Sequence, residues 1–147
     1  DTKIKLVIVG GGKDLVNLER LVAEKKIRSR VVFHGRCVQE VVQDHFLQAD
    51  CVIVNSHVET YSMVTIESIL SGCPVIATRC GGPEQFINAD NGILINTDDT
   101  NGLKDSMLEM IRNEATYTPS KVMSSIVNVF SEKSIKNHLD QIYSKAI

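Results

Sequence analysis

The chain has 147 residues, and sixteen Lys and Arg set against eighteen Asp and Glu leave a net charge of −2. That length predicts one compact unit with its own core, held without disulfide or metal staples, and the near-neutral balance gives no general electrostatic basis for nucleic-acid binding. With 43% apolar and 23% charged residues the composition is that of an ordinary globular domain. No apolar run approaches the roughly eighteen residues of a spanning helix, and the first residues lack a secretory-signal pattern. Cys37, Cys51, Cys73 and Cys80 form no C-x-x-C pair and face no histidine at zinc-finger spacing. They read as buried thiols in a reducing, cytoplasmic setting.

Along the chain, short β-branched runs alternate with amphipathic stretches. The runs are residues 4–9, 31–33, 52–54, 74–77 and 92–95, most of them apolar at consecutive positions, as in strands covered on both faces. Between the first two, Leu15, Leu18, Leu21 and Val22 make a helical stripe over 14–25; Val38, Val41, Val42, Phe46 and Leu47 make another over 38–48. Strand–helix–strand alternation predicts an α/β fold, a Rossmann-like parallel sheet flanked by helices. A helix is predicted from Thr97 to Arg112. Thr118-Pro119 then caps one or two further helices over 120–146, carrying Val122, Ile126, Val129, Phe130, Ile135, Leu139, Ile142 and Tyr143. These form a helical C-terminal tail, 120–147, packed on the body.

In such sheets ligands gather at the carboxyl ends of the strands, which singles out residues 10–14, 34–38, 55–63 and 78–84. Gly10-Gly11-Gly12-Lys13-Asp14 is not a dinucleotide fingerprint, because Leu15 occupies the third glycine's place, and no Ser or Thr follows Lys13 as a Walker loop requires. It reads as a tight turn or as amides near an anionic group. In Ser56-His57-Val58-Glu59-Thr60-Tyr61-Ser62-Met63-Val64-Thr65-Ile66-Glu67, a strand ends at Asn55, a loop carries Glu59, and a helix begins near 60–62 and stops at Gly72-Cys73-Pro74. The amides around Ser62, Met63 and Val64 suit a phosphate, and carboxylates nearby suit the paired hydroxyls of a sugar or ribose. The glutamate spacing alone says little; its context carries the reading. His34 and His57 stand at strand ends as rim histidines, Gly81-Gly82-Pro83-Glu84 is a turn or the lining of a sugar site, and Lys133, Lys136 and Lys145 are a solvated face.

Ser56, Glu59, Tyr61, Glu67, Gly72, Pro74-Val75-Ile76-Ala77-Thr78 and Gly81-Gly82-Pro83-Glu84, in that order, resemble the donor-binding signature of family 4 retaining glycosyltransferases (glycosyl transferases group 1). Leu6-Val7-Ile8-Val9-Gly10, Val32-Phe33-His34-Gly35-Arg36 and Asn91-Gly92-Ile93-Leu94 resemble neighbouring strands and turns of the same family, so the likeness spans nearly the whole chain. The resemblance implies the C-terminal half of a GT-B fold: residues 1–147 as a single nucleotide-sugar-binding domain. It implies that Glu59 positions the donor sugar at the reacting carbon, that Glu67 grips the ribose, and that Tyr61, Ser62, Met63 and Val64 face the sugar and distal phosphate. Gly35 and Arg36 then lie beside the base, and no metal or other cofactor takes part. The implied partners are a nucleoside diphosphate sugar and a sugar or lipid-linked acceptor held by an N-terminal domain. In the whole protein the family admits peripheral contact at the inner membrane face.

Two departures stand out. Thr60-Tyr61-Ser62 replaces the family's Gly-Phe-Gly, which brings side chains where bare backbone is usual. The chain opens at Asp1-Thr2-Lys3, after the strand and helix whose Arg and Lys clamp the diphosphate in the family, and so reads as an N-terminally truncated piece, inactive by itself. Two other readings stay open. One is a non-catalytic regulatory or nucleotide-binding module, poorly matched to a receiver because Asp50 precedes its strand; the other is a GT-B sugar-nucleotide epimerase.

Overall fold

The computed structural model describes residues 4–127 and 129–144; Asp1-Thr2-Lys3 and Lys145 lie outside them, as do the side chains of Ile135, Leu139 and Ile142. The chain divides into two compact units, Asp1–Asp44 and His45–Ile147. Among the described residues no helix is long and apolar enough to cross a membrane.

The first unit is a strand–helix–strand element. Strand β1 (Leu6–Val9) leads through the glycine turn to helix α1 (Leu15–Glu24), and a 3-10 turn at Arg28–Arg30 enters strand β2 (Val31–Gly35). The strands pair in parallel, Leu6 with Val31 and Ile8 with Phe33, and an irregularity at the carboxyl end sets Val9 against Gly35. Strand β1 falls within its predicted run and β2 extends two residues past its run, to Gly35, but the expected cover on both faces is absent here. Leu6 and Val7 are 42% and 43% exposed, and Leu18 and Leu21 of the α1 stripe also remain open, leaving Val22 as its buried member. A two-stranded pair with one helix has too little surface to enclose apolar residues on both sides.

Helix α2 (Gln39–Gln48) leads into the second unit, where strands β3 (Val52–Val54), β4 (Val75–Thr78) and β5 (Gly92–Ile95) pair in parallel in that order. Central β4 is wholly buried, as its unbroken apolar sequence predicts. Helix α3 (Met63–Leu70) connects β3 to β4, helix α4 (Thr100–Arg112) follows β5, and the tail forms two helices, α5 (Pro119–Val127) and α6 (Glu132–Ser144). Val54, Ile66, Ile69, Val75, Val122 and Ile126 make the main core between the sheet, α3 and α5. Gly72 lets α5 approach: its φ is +82°, and a Cβ there would lie 2.8 Å from Cβ of Pro119. Helix α4 starts three residues later than predicted, because Asp99 is the residue whose carboxylate accepts the Gly102 amide at 2.7 Å.

Asn91 is fully buried and ties three segments together. Its amide nitrogen donates to the Phe86 carbonyl at 3.0 Å and to Ser125 Oγ at 2.7 Å, and its oxygen accepts the Asn88 amide at 2.8 Å. Asn91→Ala strands those partners in the interior, at a cost of about 1–3 kcal/mol. The melting temperature followed by circular dichroism should fall by about 2–12 °C.

All four cysteines are free thiols. Cys73 is buried, whereas Cys37, Cys51 and Cys80 are only half-buried, a partial correction to the reading of four buried thiols. Burial, and then the neighbouring Cys73, push the Cys51 thiol up to about 12; burial pushes Cys73 up to about 11. Iodoacetamide at pH 8 should therefore modify Cys37 and Cys80 well before Cys51 and Cys73, and all four alike once the chain is unfolded. A thiol held protonated in the fold contributes stability that is complete below the unfolded value near 9 and is lost as pH climbs toward about 12.

Candidate functional site

The loop after β3 is held by backbone and glycine geometry. The Glu59 amide donates to the Cys80 carbonyl at 3.0 Å, and the Gly82 amide donates to the Glu59 carbonyl at 2.8 Å, so Glu59 and Gly81 form a short parallel bridge beyond the ends of β3 and β4. Only glycines allow this approach. A Cβ on Gly81, whose φ is +110°, would stand 2.7 Å from the Glu59 carbonyl oxygen, and one on Gly82 would stand 2.6 Å from the Tyr61 carbonyl carbon. Gly81-Gly82 is thus the seat of the Glu59 loop. Thr78, fully buried at the end of β4, turns its hydroxyl to the Val54 and Ser56 carbonyls and fixes the loop's start.

On that seat the Ser56 hydroxyl donates to Glu59 Oε1 at 2.9 Å. The bond holds a half-buried carboxylate in one orientation at the strand ends. Tyr61 stands edge-on to Phe86, ring centroids 5.1 Å apart, and remains 45% exposed.

Ser62 is the N-cap of α3 in the left-handed conformation, φ 59° and ψ 66°, which favours glycine. Its hydroxyl pairs with that of Thr65 at 2.9 Å and is buried with it. The departure from glycine therefore places the Ser62 side chain inside the protein. No side chain caps the helix, so the leading amides of Met63 and Val64 remain oriented for an anion. Thr65, Ile66, Ser68 and Ile69 are the buried face of α3; Met63, Val64, Glu67 and Leu70 share the opposite face. Glu67 lies there five residues past the cap, as the spacing predicts.

The other predicted positions belong to the first unit. Gly35, φ +67°, accepts the Gly10 amide at 2.6 Å, and Gly11 lies beside the exposed Arg36. The two turns at the carboxyl ends of β1 and β2 are thereby brought together. Of the rim histidines, His57 Nε2 sits 2.9 Å from Asp98 Oδ1 on the surface, linking the loops after β3 and β5. His57, Thr78 and Asn91 are named in the sequence reading, but the His57–Asp98 pair, the Thr78 clasp and the bonds of Asn91 are not. An open cleft of about 470 Å³ along β5, lined by Arg79, Asn88, Glu109, Asn113 and Tyr117 among others, touches neither Glu59 nor Glu67.

The geometry has counterparts among known proteins. The model of the family described as "Glycosyl transferases group 1" matches residues 1–124. The chain is 29% identical over 142 residues to the N-acetyl-alpha-D-glucosaminyl L-malate synthase of Bacillus anthracis, covering 95% of this chain and 37% of that protein. Sucrose-phosphate synthase from Thermosynechococcus elongatus superposes with a TM-score of 0.79 at 25% identity, over 97% of this chain and 38% of the other. Anabaena Alr3699/HepE, solved in complex with UDP-glucose, shares the fold at TM-score 0.78 and 21% identity, over 96% of this chain and 41% of the other. The chain thus spans a little over a third of the length of the Bacillus relative. The α/β architecture with parallel sheets flanked by helices is that of GT-B glycosyltransferases, and the chain belongs to the glycosyl transferases group 1 family.

Proposed function

We propose that these residues are the donor-binding part of a retaining family 4 hexosyltransferase, which moves a sugar from a nucleoside diphosphate carrier to a sugar or lipid-linked acceptor. The observation that carries this reading is Glu59, oriented by Ser56 and seated on Gly81-Gly82 beside the uncapped start of α3. An oriented carboxylate next to free helix amides matches a donor's two ends: hydroxyls on the sugar, charge on the diphosphate. Glu59 holds the sugar, and the amides of Met63 and Val64 take up charge on the distal phosphate as the glycosidic bond breaks. Tyr61 and the backbone of Ser62 shape the sugar end, Glu67 accepts the ribose hydroxyls, and Gly35 with Arg36 borders the base.

We read residues 1–147 as one such domain with residues 120–147 as its helical tail. Because they span 37% of the Bacillus relative, we assign acceptor binding and turnover to the remainder of a longer protein, cytoplasmic with peripheral contact at the inner membrane face. UDP is the first nucleotide to test, since a fold neighbour was solved with UDP-glucose.

In the full-length protein, Glu59→Gln should lower kcat about a hundredfold while donor KM changes little. Proton NMR of the released product should show the donor's anomeric configuration. An inverted product, or unchanged kcat in Glu59→Gln, overturns this assignment.

A further inference from the structure

The cleft along β5 gathers polar groups that the donor site does not use. Glu109 and Asn113 line it from the end of α4, and Thr116 and Tyr117 line it from the turn that follows. Among the described residues none of these four side chains has a hydrogen-bond or ion-pair partner. Tyr117 packs against the main core and against a second cluster, Ile76, Ile95 and Met110, which anchors its ring. Burial, and then the Glu109 carboxylate, push its hydroxyl above the ordinary range, so it stays a protonated donor at neutral pH.

The edge of β5 adds main-chain groups. The Asn91 and Ile95 carbonyls accept the Val75 and Arg79 amides at 3.0 and 2.7 Å, and alternate residues of a strand turn their groups to opposite sides, so Gly92 and Leu94 point theirs away from β4. The Asn88 carbonyl takes the Gly92 amide at 3.0 Å, which leaves Leu94 as the β5 residue with both its N–H and its C=O on the open edge. Strand addition by a peptide rests on a row of such bonds, and one residue does not make a row. The lining carries one charge of each sign, Arg79 and Glu109, and Arg79 also lies 3.7 Å from Glu84, so an anion such as a diphosphate gains little there. The one aromatic ring of the lining, Tyr117, is committed to the two clusters, so a base finds no free platform. Uncommitted carboxylate, amide and hydroxyl groups beside the aliphatic Ile93 and Leu94 match the hydroxyls and C–H faces of sugar rings. The volume, about 470 Å³, is that of a ligand site.

We propose that the cleft along β5 binds a neutral oligosaccharide, at a site separate from the Glu59 loop. The proposal does not depend on the roles given to Glu59 and Glu67, neither of which touches the cleft. The test is a titration of the ¹⁵N-labelled protein with maltotriose, cellotriose and chitotriose through the millimolar range, followed by amide chemical shifts.

Saturable shifts are expected at the Leu94, Asn113 and Tyr117 amides with at least one of the three sugars. Glu109→Ala removes a charged acceptor from an exposed helical position and should weaken binding about 10- to 150-fold. Tyr117→Phe keeps the ring in the core and should weaken it about 2- to 10-fold. Glu67→Ala should leave the titration as it is. No shift at the cleft with any of the three sugars overturns the proposal, as does the same titration in Glu109→Ala and Tyr117→Phe as in the unaltered protein. Shifts that Glu67→Ala abolishes and the two cleft variants do not also overturn it. Should one cleft variant not fold, the other decides alone.

Discussion

Glu67→Ala should cost the full-length protein about a hundredfold in kcat/KM for its donor, most of it in KM. The residue is half-buried on the face of α3 opposite Thr65, Ile66, Ser68 and Ile69, five positions past the cap. A carboxylate there accepts hydroxyl hydrogen bonds that are made before and during the reaction alike, so its loss is a loss of binding. Hydrogen bonds to a charged group contribute about 1.5–3 kcal/mol, or roughly 10- to 150-fold. The buried face of the helix, Thr65, Ile66, Ser68 and Ile69, is untouched by the change, and alanine is the better helix former, so the helix should persist. Unchanged turnover with an unchanged melting temperature removes Glu67 from the site.

The second large effect is expected from Gly82→Ala, a change of one methyl group outside the signature glutamates. That methyl would stand 2.6 Å from the Tyr61 carbonyl carbon and 2.9 Å from its Cα. Backbone cannot yield as a side-chain tip does, so the Glu59 loop must move. Overpacking of this kind costs about 1–3 kcal/mol. Displacing a positioned group by about an ångström costs about a hundredfold in rate. Steady-state kinetics should show kcat falling with the Glu59–Gly81 bridge, and the melting temperature should fall by about 2–12 °C. A variant with native kcat shows that the glycine seat does not set the position of Glu59.

Much of this was legible in sequence because it depends on local periodicity. Val52-Ile53-Val54, the α3 segment and Pro74-Val75-Ile76-Ala77 were placed within a residue or two, since unbroken β-branched runs and a Gly-Cys-Pro stop have few alternative readings. What escaped depends on encounters between distant residues. Asn91 and Ser125 are 34 positions apart, His57 and Asp98 are 41 apart, and nothing in either neighbourhood announces the other. The left-handed Ser62 was hidden because serine gives no sign of positive φ, and the start of α4 because Thr97, Asp98, Asp99 and Thr100 are all plausible caps. The exposure of Leu6 and Val7 could not be read at all: an apolar run reports what it can bury, not what is there to cover it.

The proposed role of the carboxyl-end constellation on β3, α3 and β4 is to hold a nucleoside diphosphate sugar. Saturation-transfer NMR with UDP, GDP and ADP tests it most directly, using the chain and its Glu67→Ala form side by side. Millimolar contact to the ribose protons of one nucleotide above the others is expected, lost in Glu67→Ala. Equal saturation in both forms, or none with any nucleotide, contradicts it.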